Sequence, residues 1–261
     1  MAIDPPKQGR TRRTNLSFDS GLLQALARDY AELCDGYGDF DAITTAVMSA
    51  LAFEAFINEV EQLARTMIVS DDEDAFPGVM AFDPAALKII DCLRGTDRPT
   101  TLDRYDLFWK AVTGQDVDDG RDPKQALKIV FSVRDAIAHL KSQQTEIRRE
   151  LREDEESPSR LYVGPFVEYH PQPNFMRSLE ARNLLSPWAG PSNQWSLRIS
   201  SGTFANWVCE TVEHTSKDLV LQFPDGSLMR DRLMRDSLAG FSNDRRQRRH
   251  LRRSKPEAPP K

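Results

Sequence analysis

The chain has 261 residues, 39% apolar and 29% charged, which suffices for one large domain or two small ones with a real core. No apolar run reaches the roughly 18 residues of a membrane span, no basic-then-apolar signal opens the chain, and Cys34, Cys92 and Cys209 show neither a disulfide framework nor CxxC spacing, so a cytoplasmic protein is expected. The 40 acidic residues against 35 basic give −5, which as an average argues against nucleic acid.

That average hides a strong polarity. Residues 1–16 carry Lys7, Arg10, Arg12 and Arg13 against Asp4, a net +3. Residues 245–261 hold eight basic residues and one acid, a net +7, which leaves −15 for residues 17–244. Both ends contain proline and lack apolar periodicity, so 1–16 reads as a disordered arm and 227–261 as a disordered basic tail. Between them, 17–226 reads as one helical domain.

Residues 17–34 predict an amphipathic helix with Leu22, Leu23, Leu26, Tyr30 and Leu33 on its apolar side. Asp41 to Met67 is the strongest element: it lacks Gly and Pro and is apolar nearly all round between Ala46 and Ile57, as in the central helix of a bundle. An acidic loop, Asp71 to Asp74, precedes Pro77-Gly78. Further helices are predicted over 84–93, with proline in the first turn, over 102–112, and from about Lys124 to Arg152.

Between Glu156 and Ser200 proline recurs, and runs such as LYVGPFVEY look extended, so an irregular or small β excursion is expected there. Ser200 or Ser201 then caps a helix over about 203–222, stopped by Pro224-Asp225-Gly226. The fold class expected is mainly α, a helical bundle.

The chemistry-bearing segment is Arg134-Asp135-Ala136-Ile137-Ala138-His139. At about 100° per residue, Val130, Val133, Ile137 and Leu140 form a core face. His139 lies about 180° and Asp135 about 140° from Val130, so both point away from that core. Imidazole titrates near neutrality and can take the proton of an RNA 2′-OH or give one to a leaving 5′-oxygen. Guanidinium pairs with phosphate oxygens, and a carboxylate four residues from the imidazole can orient it. One such set is thin for acid–base chemistry, whereas a twofold dimer supplies two.

The same hexamer resembles the signature of the HEPN family, an Arg followed after four to six residues by His, often with a polar residue next to the Arg. Upstream, Ser49 to Val60 resembles the long early helix of that family, with Glu54 and Asn58 four apart in an apolar run. Leu102 to Leu107 resembles the segment before the motif helix, and the resemblance spans roughly 20–145. It implies a helical bundle that dimerises through the motif helices. It also implies a metal-independent endoribonuclease without cofactor, often of toxin–antitoxin or antiviral systems, with an antitoxin or defence protein as a partner. Arg134 and His139 would be catalytic, Asp135 the adjacent polar residue, and Glu54 and Asn58 supporting. Some members keep the fold without cleaving RNA, so the alternative is a non-catalytic module for dimerisation and RNA or protein binding. The segment 156–200 and both basic ends have no counterpart in the family pattern.

Blander assignments stand beside these. Arg245 and His250 repeat the Arg-to-His spacing inside an arginine-rich tail, where the match carries little. Arg134 can simply pair with Asp135 on the surface. Glu54 and Asn58 either support the motif helix or bridge neighbouring helices, and Tyr105 and Trp109 either stack on bases or pack in the core. Arg245, Arg246, Arg248, Arg249, Arg252 and Arg253 either attract RNA phosphates or serve as a solubilising tail that contacts the acidic body. His170 and His214 have no companions at metal spacing, and no metal is expected.

Overall fold

The computed structural model describes residues 19–34, 41–68, 83–118, 120, 122–138, 146–154, 157–169, 172–187 and 195–241. It is mainly α. The helices are α1 (Ser20–Leu33), α2 (Asp41–Ile68), α3 (Pro84–Leu93), α4 (Thr101–Thr113), α5 (Lys124–Ala138), α6 (Phe175–Ala181), α7 (Trp195–Arg198), α8 (Gly202–Leu221) and α9 (Leu228–Arg232). A π turn (Leu233–Ser237) and a 3-10 turn (Leu238–Phe241) follow α9, and the strands β1 (Glu146–Asp154) and β2 (Ser157–Tyr169) lie between α5 and α6. The chain divides into two compact units, and α1, α2 and α8 each contribute residues to both.

The first unit contains α2 from Ala52, α3, α4, the end of α8 and the chain through Phe241. Its core is aromatic: Phe53 meets Phe56 and Tyr105, Tyr105 meets Trp109, and Phe56 meets Phe241. Tyr105 is therefore a core residue, and Trp109 packs against it. The helix starts in this unit are closed by side chains. Thr100 and Asp103 form a reciprocal capping box on α4, and Gly114, left-handed at φ 75°, ends that helix. Buried Asp83 serves two helices at once. Its Oδ1 accepts from Ala85 N at 2.9 Å on α3, while its Oδ2 accepts from Ser227 Oγ at 2.7 Å and Met229 N at 3.1 Å at the start of α9. Buried Glu59 on α2 accepts from the Ser20 backbone N–H at 2.8 Å and the Ser20 hydroxyl at 2.6 Å, closing the start of α1. Burial raises its pKa above the usual 4.5, against the lowering effect of those bonds.

The second unit contains α1 from Leu23, α2 to Leu51, α5 to α7, the two strands and most of α8. Its core combines the alanines of α1 and α2 with Leu127, Val130 and Val133 of α5 and with Trp195, Phe204, Val208 and Val212. Ser201 Oγ accepts from Phe204 N, the cap predicted for α8. The next residue has to be glycine, because a Cβ on Gly202 would stand 2.9 Å from the Cys34 carbonyl oxygen.

Four expectations need correction. The helix expected over 124–152 is described only to Ala138, and Glu146–Asp154 is instead a strand antiparallel to β2. The charged sequence EIRRELRED suits a helix by propensity, and pairing with β2 overrides that weak preference. The ladder is irregular between Arg149 and Leu151, opposite Gly164-Pro165, where proline cannot donate a ladder bond.

On α1 the leucine face is not the buried one. Gly21, Gln24, Ala25, Ala27, Arg28 and Ala31 are buried, the leucines are only partly covered, and Leu33 is 57% exposed. The disordered tail expected over 227–261 is corrected for 228–241, where α9 and the turns through Phe241 bury Met229, Leu233, Leu238 and Phe241. Finally, α2 meets the length and apolarity of a membrane span. More than half of its most apolar stretch is buried, as for a core helix.

Candidate functional site

The candidate site lies on α5, in the second unit. Val130 and Val133 are buried, as the periodicity predicted, and so are Leu127, Ile129 and Phe131, while Ser132, Asp135 and Ala138 face solvent. Ile137 is partly covered. Arg134 and Asp135 therefore sit where the packed face gives way to the open one. His139 and Leu140 lie outside the described residues, as do the tail arginines Arg245, Arg246, Arg248, Arg249, Arg252 and Arg253.

The structure brings Arg134 and Asp135 together. Arg134 Nε stands 3.0 Å from Asp135 Oδ1, an ion contact without hydrogen-bond alignment, between side chains 29% and 57% exposed. The guanidinium carbon lies 5.1 Å from the centre of the Phe131 ring, one turn earlier on the helix. Phe131 is a contributor that sequence inspection missed. Its i, i+3 spacing to Arg134 was the available signal.

At the start of α5, Arg182 makes a two-pronged contact to Asp122, with Nη2 to Oδ1 at 2.6 Å and Nη1 to Oδ2 at 3.0 Å. Its guanidinium carbon also stands 5.9 Å from the centre of the Trp207 ring. Hydrogen bonding to Arg182 holds the Asp122 carboxyl below its usual 3.8. This pair fastens the segment entering α5 to the segment leaving α6, and α6 packs on α5.

The supporting pair expected on α2 belongs to the other unit. Asn58 Oδ1 accepts from Arg104 Nη1 of α4 at 2.6 Å, and the same nitrogen reaches Glu61 Oε2 at 3.3 Å. Glu61 Oε1 accepts from both Nε and Nη2 of Arg65. Asn58 thus bridges α2 to α4, the second of the two readings left open for it, and Arg104 is the partner the sequence did not reveal. Glu54 lies one turn earlier on α2 and is partly covered.

A second buried polar cluster went unnoticed in the sequence. Arg28 Nη2 of α1 pairs with Glu213 Oε2 of α8 at 2.9 Å, with both side chains under a tenth exposed. One turn earlier on each helix, Gln24 Nε2 donates to the Cys209 carbonyl at 3.1 Å. Ser49 Oγ of α2 stands 3.7 Å from Cys209 Sγ, which places that cysteine in the core as expected. Among the described residues no group of three or more His, Cys, Asp or Glu is placed to hold a metal ion. The acidic run Asp71 to Asp74 lies outside them. No family model, curated protein or solved structure matches this chain.

Proposed function

We propose that this chain is a HEPN-like, metal-independent endoribonuclease that acts as a homodimer in the cytoplasm, within a toxin–antitoxin or antiviral system whose cognate protein restrains or recruits it. The observation that supports this most is the disposition of α5. Its apolar face is core, and the Arg134–Asp135 half of the motif stands at the solvent boundary, one turn before His139 in the sequence.

The reaction uses the RNA's own 2′-OH. One His139 takes the proton from that hydroxyl as its oxygen attacks the adjacent phosphorus. The P–O5′ bond breaks, and the partner protomer's copy of the same histidine, entering as imidazolium, protonates the departing 5′-oxygen. Arg134 binds the non-bridging oxygens and offsets the charge that builds on them. The tail arginines Arg245 to Arg253 add sequence-independent attraction to the backbone, which compensates for the acidic body.

Cleavage of single-stranded RNA in the presence of EDTA tests this. His139→Ala is expected to lower the rate by about 10²–10⁴, and Arg134→Ala by about 10²–10³. RNA that is bound but not cut by the wild type would leave the non-catalytic module as the function. Deleting residues 242–261 should then weaken RNA binding and flatten its salt dependence.

A further inference from the structure

We infer that the seam of α1, α2 and α8 in the second unit binds a water molecule between Gln24 and Arg28, as a fixed part of the fold and independently of the RNA reading. Both residues lie on the buried side of α1, Gln24 at 0% and Arg28 at 5% exposure. One end of each is engaged by α8. Gln24 Nε2 donates to the Cys209 carbonyl at 3.1 Å, and Arg28 Nη2 meets Glu213 Oε2 at 2.9 Å. The other ends are left over. Gln24 Oε1 and Arg28 Nε are shielded from solvent, and among the described residues no hydrogen bond reaches either of them.

Turning the side chains does not pair these atoms. The Cys209 carbonyl can only accept, so the Gln24 amide keeps its NH₂ end there and its oxygen on the far side. A guanidinium carries donors alone, so Arg28 Nε cannot change role. Residues four apart on a helix stand one above the other, with Cβ atoms about 5–6 Å apart. A leftover donor and a leftover acceptor at that spacing, with no direct bond, match one small molecule that accepts from the first and donates to the second. Two such partners are the least that hold a buried water. Left unpaired in the interior, each atom would instead cost stability.

The surroundings choose among occupants. An anion would meet the Gln24 oxygen with the Glu213 carboxylate close by, and a cation would meet the guanidinium, so the occupant is neutral. The Arg28 and Glu213 side chains are under a tenth exposed, which encloses the place and suits water over a larger solute. Nearby hydroxyls have their own contacts. Thr45 Oγ1 donates to the Asp41 carbonyl at 2.8 Å, and Ser49 Oγ stands 3.7 Å from Cys209 Sγ. With the water counted, the buried polar side of α1 is paired throughout, which allows that side to face inward while the leucines lie partly open.

The test uses the full-length protein, isotope-labelled, in nuclear magnetic resonance. Arg28 Hε should give a ROESY cross-peak to water opposite in sign to the diagonal, which marks dipolar contact and not proton exchange. The matching NOESY peak should have the sign of the diagonal, as for a molecule that tumbles with the protein. Gln24→Met keeps the side-chain length and removes the acceptor. It should lose both peaks and lower the water-oxygen relaxation dispersion by the amplitude of one long-lived molecule. No dipolar peak between Arg28 Hε and water in the wild type overturns the inference. So does a folded Gln24→Met variant with unchanged peaks and dispersion. Where Gln24→Met does not fold, the wild-type peaks decide alone.

Discussion

Two arginine–carboxylate pairs of the second unit have nearly the same separation and opposite surroundings. Arg28 and Glu213 meet at 2.9 Å in the α1–α8 seam with side chains 6% and 9% exposed, whereas Arg134 and Asp135 meet at 3.0 Å on the outer side of α5 at 29% and 57%. In the seam neither charge can return to water without unfolding the helices, so the pair is part of the fold. On α5 the Asp135 carboxylate stands largely in water, whereas the Arg134 Nε it meets is shielded. Equal distance with unequal burial separates a structural ion pair from one available for function.

The largest expected effect breaks the buried pair. Arg28→Met alone leaves the Glu213 charge buried and should cost about 3–5 kcal/mol of stability, read by urea unfolding. Adding Glu213→Leu should recover most of that loss, because well-packed apolar replacements of a buried pair are often neutral. A single variant within about 1 kcal/mol of wild type would remove the contrast between the two pairs.

Next comes a buried carboxylate with no arginine among its bonds given above. Asp83→Ala strips hydrogen bonds from Ala85, Ser227 and Met229 and should cost about 2–3 kcal/mol. It tests whether burial or ion pairing makes a carboxylate indispensable.

Glu59 sharpens the point through pH. Its pKa is raised above 4.5 in the folded state, so its contribution to stability is fully present below that value and is lost as pH rises through the folded-state pKa. Glu59→Gln cannot ionise, so its stability relative to wild type should improve from about pH 4 to neutrality in denaturant titrations at a series of pH values. A constant difference across that range would show that burial does not govern this group.

Smallest of all should be the stability effect of Arg134→Ala and Asp135→Asn, each within about 0.5 kcal/mol. A large loss from either would make the outer pair structural, like the inner one.

Much of the helical frame was legible. The apolar run of α2, Pro84 at the start of α3, Gly114 after α4 and Ser201 before α8 are local signals, and the elements form where those residues call for them. The rest depended on partners distant in the chain. Arg28 is 185 residues from Glu213, so a wheel drawn on α1 alone selects the leucine side and misses the face that is buried. The strand Glu146–Asp154 has helical composition and becomes a strand only through β2.

Residues 228–241 lie inside the stretch whose composition reads as a basic tail. Met229 and Leu233 share a helical face, but on a regular α-helix Leu238 and Phe241 lie about 180° and 120° from Met229, so no single periodicity marks the four residues buried through the π and 3-10 turns. Of the candidate site, Arg134, Asp135 and the packed face behind them were readable on one helix. The Phe131 contact had only its i, i+3 spacing to Arg134 as a signal and the Arg104 bond to Asn58 had none, because local charge patterning does not say which way a long side chain folds.

The central claim is that α5 carries an RNA-cleaving site, and one measurement addresses it most directly. Wild type, Arg134→Ala and His139→Ala, each shown by circular dichroism to be folded, are incubated with a single-stranded RNA in EDTA and the products resolved. The account predicts fragments with 2′,3′-cyclic phosphate ends from the wild type alone. Equal cleavage by all three proteins, or none by any of them, would contradict it.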